Sequence, residues 1–216
     1  MYTVIDLTQM LTEESRGYPG NVPAWTAERP EIGCPGATVT RFSAFDPHAG
    51  THLDSPLHFA PGGVDVGGLP LRVYPLAVVR IAGSRIEADA VPDDCDGRAV
   101  LFSTGWEDRA GTPAYFRGFP ALSPEAAQRL VDRGVGLVGL DGPSVDPADA
   151  HPTYPTHRIL CGAGVPIVEG LVNLATLLSI EGEAYFAAFP LKLSGVEGSP
   201  VRAVALLRDR LSVDGG

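Results

Sequence analysis

Short runs of apolar residues along the chain predict a fold that mixes many strands with a few helices. β-Branched, aromatic or nearly continuous apolar runs predict strands at 2–7, 38–46, 72–83, 98–104, 135–140, 165–168, 184–193 and 201–207. The runs at 72–83 and 98–104 are apolar almost throughout, which indicates burial on both faces of the strand. Residues 12–36 are rich in proline, glycine and charge, and include Tyr18 and Trp25. We expect a long, ordered loop there that takes part in function.

The clearest helical signal covers residues 124–133. Ser123 before it suits the N-cap, and Gly134 after it suits the left-handed residue that ends many helices. A second, shorter helix is predicted at 156–161, ended by Gly162. The strands outnumber the helices and do not alternate with them strictly. The pattern therefore predicts an α/β or α+β fold with a substantial sheet.

Composition and charge narrow the classes of function. The chain has 216 residues, 44% of them hydrophobic, and no long polar linker divides it, so we expect a single domain over residues 1–216. The formal net charge is −10, and an acidic surface repels phosphate backbones, which argues against nucleic acid as a partner. No signal peptide is visible, and no apolar run approaches the roughly 18 to 20 residues that span a bilayer. We therefore expect a soluble, cytoplasmic protein with no membrane partner.

The three cysteines, Cys34, Cys95 and Cys161, are far apart in the sequence and form no CxxC pair. They predict neither a disulfide framework nor a thiolate zinc site, and we expect ordinary thiols in a reducing compartment. The phosphate-binding motifs GxxxxGK[ST] and GxGxxG are absent from the sequence, as is the GxSxG turn of serine hydrolases. The sequence thus provides no support for a phosphate loop or a serine triad.

Three of the five histidines fall within one short segment, HAGTHLDSPLHF, at residues 48–59. Its side chains with ligand atoms are His48, His52, Asp54 and His58, at offsets of 0, +4, +6 and +10. Even offsets point to one face of an extended segment, whereas Gly50 and Pro56 disfavour a helix. An extended or gently turning segment can therefore bring these groups to one point. Imidazole and carboxylate ligands suit Zn, Mn, Fe or Co, and a metal with an open position can activate water.

Other histidine and acidic residues are harder to judge from the sequence alone. His157 and Glu169 lie next to apolar elements, as metal ligands often do, and both a ligand role and an ordinary role stay open. Asp141 and Asp146, in LDGPSVDP, are interpreted as turn residues whose side chains bond the nearby backbone. His151 lies alone in a proline-rich loop, and we expect no role for it in the site.

The segment HAGTHLDSPLHF resembles the HxGTHxDxPxH signature of the cyclase family of metal-dependent hydrolases. That family includes kynurenine formamidases (arylformamidases) and isatin hydrolases. Similarity to the family continues along most of the chain, in family order, through VIDLT, YPGN, TGW, LDGPSVDP, IVEGLVNL and SPVRAV. The chain therefore resembles a cyclase-family hydrolase, and in particular one of the kynurenine formamidase kind.

The resemblance implies a centre with two divalent metals, expected to be two zinc ions per chain, with manganese as the alternative. The implied ligands are His48, His52, Asp54, His157 and Glu169. His48, His52 and Asp54 would bind the first metal, and Asp54 would bridge to a second metal held also by His157 and Glu169. His58 would be the general acid and base. The resemblance also implies a swivelling β/β/α fold, with a curved or barrel-like mixed sheet and flanking helices, and a homodimer or higher homo-oligomer.

Tyr18 matches a position that is usually tryptophan in kynurenine formamidases and that contacts their aromatic substrate. The smaller ring and its hydroxyl leave the identity of the substrate open. The resemblance implies a small aromatic amide, such as N-formylkynurenine, hydrolysed to kynurenine and formate in tryptophan catabolism. Hydrolysis of a cyclic amide such as isatin, another cyclase reaction, and metal binding without turnover are the alternatives.

Overall fold

The computed structural model describes residues 1–13, 15, 17–20, 24–29 and 36–208 of the 216-residue chain. The strands are β1 (Tyr2–Asp6), β2 (Trp25–Glu28), β3 (Arg41–Phe45), β4 (His52–Asp54), β5 (Tyr74–Arg80), β6 (Arg85–Ile86), β7 (Ala99–Ser103), β8 (Ala121–Leu122), β9 (Leu137–Leu140), β10 (Ile167–Glu169), β11 (Ala184–Pro190) and β12 (Gly198–Arg208). The α-helices are α1 (Pro124–Asp132), α2 (Pro155–Gly162) and α3 (Leu174–Leu177). Cys34 lies outside the described residues.

Seven of these strands form a closed, barrel-like mixed sheet. The order around it is β12, β11, β5, β7, β9, β10 and β4, and β4 pairs with β12 to complete the ring. Neighbours among β5, β7, β9 and β10 are parallel, whereas the other pairings are antiparallel. β12, with 11 residues, is long enough to pair with β4 through its first part and with β1 through its last part. This architecture confirms the predicted curved mixed sheet with flanking helices.

Alternate residues of β7 pack into two separate apolar clusters, which confirms that this strand is buried on both faces. Val100 and Phe102 belong to a cluster that includes Leu130 of α1 and Leu160 of α2. Leu101 belongs to the other cluster, with residues of β11 and β12. Successive side chains of a strand point to opposite faces, so α1 and α2 cover one face of β7, whereas Leu174 and Leu177 of α3 pack on the other. The carboxyl ends of β7, β9 and β10 lie at the same edge of the sheet, because these strands are parallel.

α1 begins and ends as the sequence predicts. Ser123 Oγ accepts a hydrogen bond from the Ala126 N–H at 3.0 Å, and Gly134 takes a left-handed φ of 72° after the last turn. α2 is also present, but it runs through Gly162 rather than ending before it. Gly164, with φ 79°, is the left-handed residue after this helix. The predicted terminator of α2 was therefore two residues too early.

The prediction of an uninterrupted loop at 12–36 was wrong for residues 25–28. These residues form β2, which pairs with β3 in a two-stranded ribbon separate from the barrel. The ribbon has no fully buried residue. The sequence of β2 therefore lacks the continuous apolar run from which a buried strand is predicted. The strands β6 and β8 and the helix α3 were not predicted, because they are too short to show a repeating pattern of apolar and polar residues. Within the described part of the chain, no helix has both the length and the apolar character needed to cross a membrane.

Candidate metal centre

The side chains proposed as metal ligands converge on one cavity of about 870 Å³. Its lining includes His48, His52, Asp54, His157 and Glu169, together with His58 and Tyr18. β4 supplies His52 and Asp54, α2 supplies His157, and Glu169 ends β10. β4 pairs with β10 in a register that sets His52 opposite Glu169. The structure thus brings together all the residues that the sequence analysis placed in the site.

Asp54 lies at the meeting point of three imidazoles. Its Oδ1 is 2.8 Å from His48 Nδ1 and 3.5 Å from His52 Nε2, and its Oδ2 is 3.6 Å from His157 Nε2. The residue is 1% exposed, and neither carboxylate oxygen accepts a hydrogen bond from the described residues. A buried carboxylate without hydrogen bonds is costly unless positive charge balances it. The position of Asp54 therefore fits a ligand shared by two cations.

Glu169 faces two of the same imidazoles. Its Oε2 lies 3.5 Å from His52 Nε2, and its Oε1 lies 3.3 Å from His157 Nε2. Oε1 also accepts a hydrogen bond from the Val145 N–H at 2.7 Å, which holds the carboxylate in place. Two ligands bound to one zinc ion at about 2.1 Å in tetrahedral geometry are about 3.4 Å apart. The separations around Glu169 therefore suit a metal ion of this size.

In two histidines, a hydrogen bond holds the ring nitrogen that points away from Asp54 and Glu169. The other ring nitrogen, which faces these carboxylates, is therefore able to bind a metal. His52 Nδ1 lies 3.0 Å from Gly50 O, which can only accept, so Nδ1 carries the proton. His157 Nδ1 lies 2.7 Å from Asp146 Oδ2 and donates to it. Metal-binding histidines typically donate in this way from the nitrogen that does not bind the metal. In both rings the Nε2 that faces the carboxylates is left as the ligand atom.

His48 is oriented by the strand that closes the barrel. Its Nδ1 faces Asp54, and its Nε2 lies 3.4 Å from Glu197 Oε1. The ring packs against the backbone of Gly198, where an added Cβ would come within 2.7 Å of the imidazole Cε1. Gly198 at the start of β12 and Glu197 directly before it therefore hold His48 with Nδ1 towards the centre. The sequence analysis missed both Glu197 and Gly198, since neither belongs to a motif near the histidines.

The carboxylates of the centre change the pKa of its histidines. Burial by itself lowers the pKa of His48, but the Asp54 carboxylate outweighs burial and raises this pKa to about 9. Burial also lowers the pKa of His157, yet its hydrogen bond to Asp146 and the negative charge of the Asp54 and Glu169 carboxylates leave it well above its ordinary value. Burial would raise the pKa of Asp54, but His48 and His52 hold it well below its usual range. Protons and divalent cations compete for such a centre, because both balance its negative charge.

His58 differs from the other histidines of the site. It ends a short 3-10 helix, Pro56–His58, and neither ring nitrogen has a hydrogen-bond partner among the described residues. Its ring stacks on that of His48 with centroids 4.4 Å apart. Burial lowers the pKa of His58 to about 4, so its imidazole is neutral at pH 7. A neutral imidazole without fixed partners is free to take up a proton and release it.

The ligand atoms fall into two groups in which all atoms lie within 4.8 Å of one another. One group is His48, Asp54 and His58, and the other is His52, Asp54 and Glu169. Asp54 belongs to both groups, as a bridging ligand would. The groups differ from the implied ligand sets in joining His58 to His48, and His52 to Glu169. His58 is thus close enough to the centre to carry protons or to bind a cation, and a variant of His58 separates these roles.

A family model called Cyclase, with the description "Putative cyclase", matches residues 5–147. The chain belongs to the Cyclase family. Isatin hydrolase A from Labrenzia aggregata has a similar structure, with a TM-score of 0.82 at 24% identity over 96% of this chain and 94% of that one. Isatin hydrolase A from Ralstonia solanacearum has a TM-score of 0.79 at 26% identity, over 96% and 92% of the two chains. A structure described as a "potential metal-dependent hydrolase with cyclase activity" has a TM-score of 0.78 at 29% identity, over 97% and 100%. This Cyclase-family chain therefore has the fold of metal-dependent hydrolases.

Two aspartates of the Cyclase-family chain accept hydrogen bonds from residues much farther away in the sequence than a turn residue would. The Asp146 carboxylate accepts hydrogen bonds from the backbone N–H groups of Thr156 and His157, each at 2.9 Å, and so caps the first turn of α2. The Asp141 carboxylate accepts from the Thr104 backbone and hydroxyl, 37 positions away. The turn interpretation was wrong because it considered only backbone groups close in sequence. Asp146 therefore fixes both the helix that carries His157 and the ring of His157.

Asp146→Asn is expected to weaken metal binding about ten- to a hundredfold while the protein stays folded. Asparagine keeps the shape of aspartate but offers one acceptor oxygen to the three donors that Asp146 serves. Calorimetric titration with zinc or manganese measures the affinity. Asp149→Asn removes a charge at an exposed position of the same loop and should bind metal as the wild type does. Unchanged affinity in Asp146→Asn would show that this carboxylate does not orient His157.

Aromatic side chains line the cavity beside the centre. Tyr18 meets Phe116 edge to face with centroids 5.9 Å apart, and Phe59 lies 5.3 Å from Tyr154. Tyr154 has a left-handed φ of 41° at the start of α2, which is uncommon for a large side chain. The structure thus places Tyr18 on the cavity wall and adds Tyr154 to that wall. The sequence analysis missed Tyr154 because no local motif marks its unusual backbone angle.

His151 and Cys161 lie near the cavity without joining either ligand group. His151 is exposed, and its ring centroid is 5.9 Å from that of Tyr154. Cys161 is buried, and burial raises the pKa of its thiol to about 11, so the thiol is protonated at pH 7. Cys95 and Cys161 are both free thiols. The expectation of ordinary thiols is therefore confirmed for the two cysteines within the described residues.

Proposed function

We propose that this Cyclase-family chain is a metal-dependent amidohydrolase that acts on a small aromatic amide. The observation that carries the proposal is the buried Asp54 carboxylate, which accepts no hydrogen bond from the described residues yet faces three oriented imidazoles. His58 lies beside this centre with free ring nitrogens, as a proton carrier requires. The similarity to an isatin hydrolase at 26% identity supports hydrolysis as the reaction.

The cavity suits a flat aromatic molecule. At about 870 Å³ it is large enough for a bicyclic substrate, and Tyr18, Phe59, Phe116 and Tyr154 offer it ring faces and edges. The first candidate is an aryl formamide such as N-formylkynurenine, which would yield kynurenine and formate and place the enzyme in cytoplasmic tryptophan catabolism. The second candidate is a cyclic amide such as isatin, which the similarity to isatin hydrolases favours.

The residues of the centre fit two divalent cations, with zinc as the first expectation and manganese as the second. Such cations polarise a carbonyl group and make hydroxide available at neutral pH. His52 and His157 present Nε2 with the proton already held on Nδ1, so they need no rearrangement to act as ligands. Neutral His58 takes a proton from the attacking water and delivers it to the leaving nitrogen. This delivery is needed because an amine leaves poorly until it is protonated.

We further propose that two or more copies of the chain associate. The ribbon of β2 and β3 pairs with no strand of the barrel among the described residues, and Phe42 and Phe45 are exposed on it. An isolated two-stranded ribbon is only marginally stable in water, so contact with a second copy would stabilise it. Sedimentation analysis is expected to show a homodimer or a higher homo-oligomer, and a strictly monomeric protein at micromolar concentration would contradict this.

The proposed activity is tested by comparing N-formylkynurenine with isatin as substrates of the protein reconstituted with zinc or manganese. We expect metal-dependent hydrolysis of at least one of them, seen as formate release in the first case and as opening of the ring in the second. A preference for one substrate decides between the aryl formamide and the cyclic amide. Stoichiometric metal binding without hydrolysis of either would contradict the proposal and favour a metal-binding module.

A further inference from the structure

Gln9 lies on the cavity wall and is held by hydrogen bonds to residues that adjoin the centre in the sequence. Its backbone N–H donates to Thr51 Oγ1 at 2.8 Å, and Thr51 directly precedes His52. Its side-chain Nε2 donates to Gly170 O at 2.8 Å, and Gly170 directly follows Glu169. The Thr51 hydroxyl donates to the same Gly170 oxygen at 2.6 Å. Gln9 is therefore fixed on the cavity wall by the residues that adjoin two of the candidate ligands in the sequence.

These bonds decide which end of the Gln9 amide is free. Gly170 O can only accept a hydrogen bond, so the amide nitrogen must face it. The second N–H of Nε2 is directed to Tyr115 Oη, 3.3 Å away, whose own proton is donated to Asp141 O at 2.9 Å. Both donors of the amide are thus used. No described residue donates to Gln9 Oε1, so this oxygen is the atom of the amide that is left for a bound molecule.

We propose that Gln9 Oε1 is a substrate-recognition site that accepts a hydrogen bond from the N–H of the scissile amide. The inference rests on the amidohydrolase activity proposed above and narrows its substrates to secondary aryl amides, which carry this N–H. A tertiary amide has no hydrogen on the nitrogen and would leave the oxygen without a partner. A fixed polar group discriminates well against a molecule that lacks the matching group, because the unpaired group pays a desolvation cost.

The same hydrogen bond becomes stronger during the reaction. When His58 delivers a proton to the leaving nitrogen, that nitrogen gains positive charge and its N–H groups become better donors. The Gln9 oxygen therefore stabilises the transition state more than the bound substrate. Such differential binding raises kcat, whereas equal binding of both states would only lower KM. Loss of the oxygen is expected to reduce kcat on secondary amides in particular.

Gln9→Met tests this role, because methionine has a similar length and no strong hydrogen-bonding group. kcat/KM is measured with metal-reconstituted protein for formanilide against N-methylformanilide and for isatin against N-methylisatin. The variant is expected to lower kcat/KM about ten- to a hundredfold for the N–H member of a pair and by less than about threefold for its N-methyl member. An equal loss on both members would overturn the assignment to Gln9 and leave the amidohydrolase proposal intact.

Tyr115→Phe is the matched control for a purely structural role of the network. It removes one partner of Gln9 Nε2 but leaves Oε1 and the bond to Gly170. In this variant, the ratio of kcat/KM for the N–H substrate to kcat/KM for its N-methyl partner is expected to stay within about threefold of the wild-type ratio. If Tyr115→Phe lowers this kcat/KM ratio as much as Gln9→Met does, the network only supports the fold and the recognition role of Gln9 is wrong. If the wild-type protein hydrolyses neither N-formylkynurenine nor any member of either pair, the amidohydrolase proposal fails and the inference falls with it.

Discussion

Asp54→Asn is expected to abolish metal binding and to lower amide hydrolysis by at least about a thousandfold. Asp54 is the residue that both ligand groups share, and its two oxygens face His48, His52 and His157. Asparagine has nearly the same shape, so the cavity is preserved while the charge is lost. Because a single substitution affects both groups, neither cation keeps its full ligand set. Metal content after reconstitution and kcat/KM on the better of N-formylkynurenine and isatin measure the two effects.

Thermal unfolding separates this loss of ligands from simple misfolding. Without added metal, Asp54→Asn should still unfold cooperatively, with a free energy of unfolding lower than that of the wild type by up to about 3–5 kcal/mol, because the carboxylate that balances the buried His48 is lost. Added zinc should stabilise the wild type by an amount that rises with the logarithm of the zinc concentration relative to Kd, and it should leave the variant unchanged. Asp149→Asn, at an exposed position, should respond to zinc as the wild type does. Zinc stabilisation of Asp54→Asn equal to that of the wild type would show that Asp54 is not a ligand.

His58→Ala is expected to keep metal binding within a few-fold of the wild type but to lose about a hundred- to ten-thousandfold in kcat. The reason is that His58 has no hydrogen-bond partner among the described residues, in contrast to His48, His52 and His157. Loss of its ring therefore removes a proton carrier without disturbing the oriented ligands. His151→Ala, at an exposed histidine outside both ligand groups, should be neutral.

Added imidazole distinguishes the possible roles of His58. If His58 carries protons, imidazole that diffuses into the cavity should restore part of the activity of His58→Ala. His58 also lies in a ligand group with His48 and Asp54, so a ligand role predicts a different result. Loss of metal from His58→Ala would assign His58 as a ligand, and full activity of the variant would exclude both roles.

The even spacing of the histidine segment predicted only part of the geometry of the centre. His52 and Asp54 do share one face of β4, as alternation along a strand requires. His48 and His58 reach the cavity by other means, from a turn before β4 and from a 3-10 helix after it. Pro56, which disfavours an α-helix interior, suits the first position of that short helix. The segment still predicted the centre, because its histidines and aspartate are the residue types that bind a metal and they all line one cavity. The extended conformation that the even spacing predicted covers only the three residues of β4.

The residues that orient the centre could not be predicted, because they lie far from it in the sequence. Glu197 faces His48 across 149 positions, and Gln9 bonds Gly170 across 161 positions. Both contacts depend on how β12 and the segment after β1 close around the barrel, which periodicity does not encode. His157 and Glu169 stayed ambiguous from residue patterns, and only the resemblance of the whole chain to the family singled them out. Asp146 was misjudged for the same reason as Glu197, since its partners belong to α2.

We propose above that the cluster around Asp54 is a metal centre at which an aromatic amide is hydrolysed. Chelator-reversible hydrolysis tests it most directly, with the rate on N-formylkynurenine and isatin measured before metal removal, after it, and after zinc or manganese is added back. We expect activity to fall to the background rate on chelation, to return when metal is added to the wild type, and not to return in Asp54→Asn. Activity that persists in protein shown by metal analysis to be metal-free would contradict it.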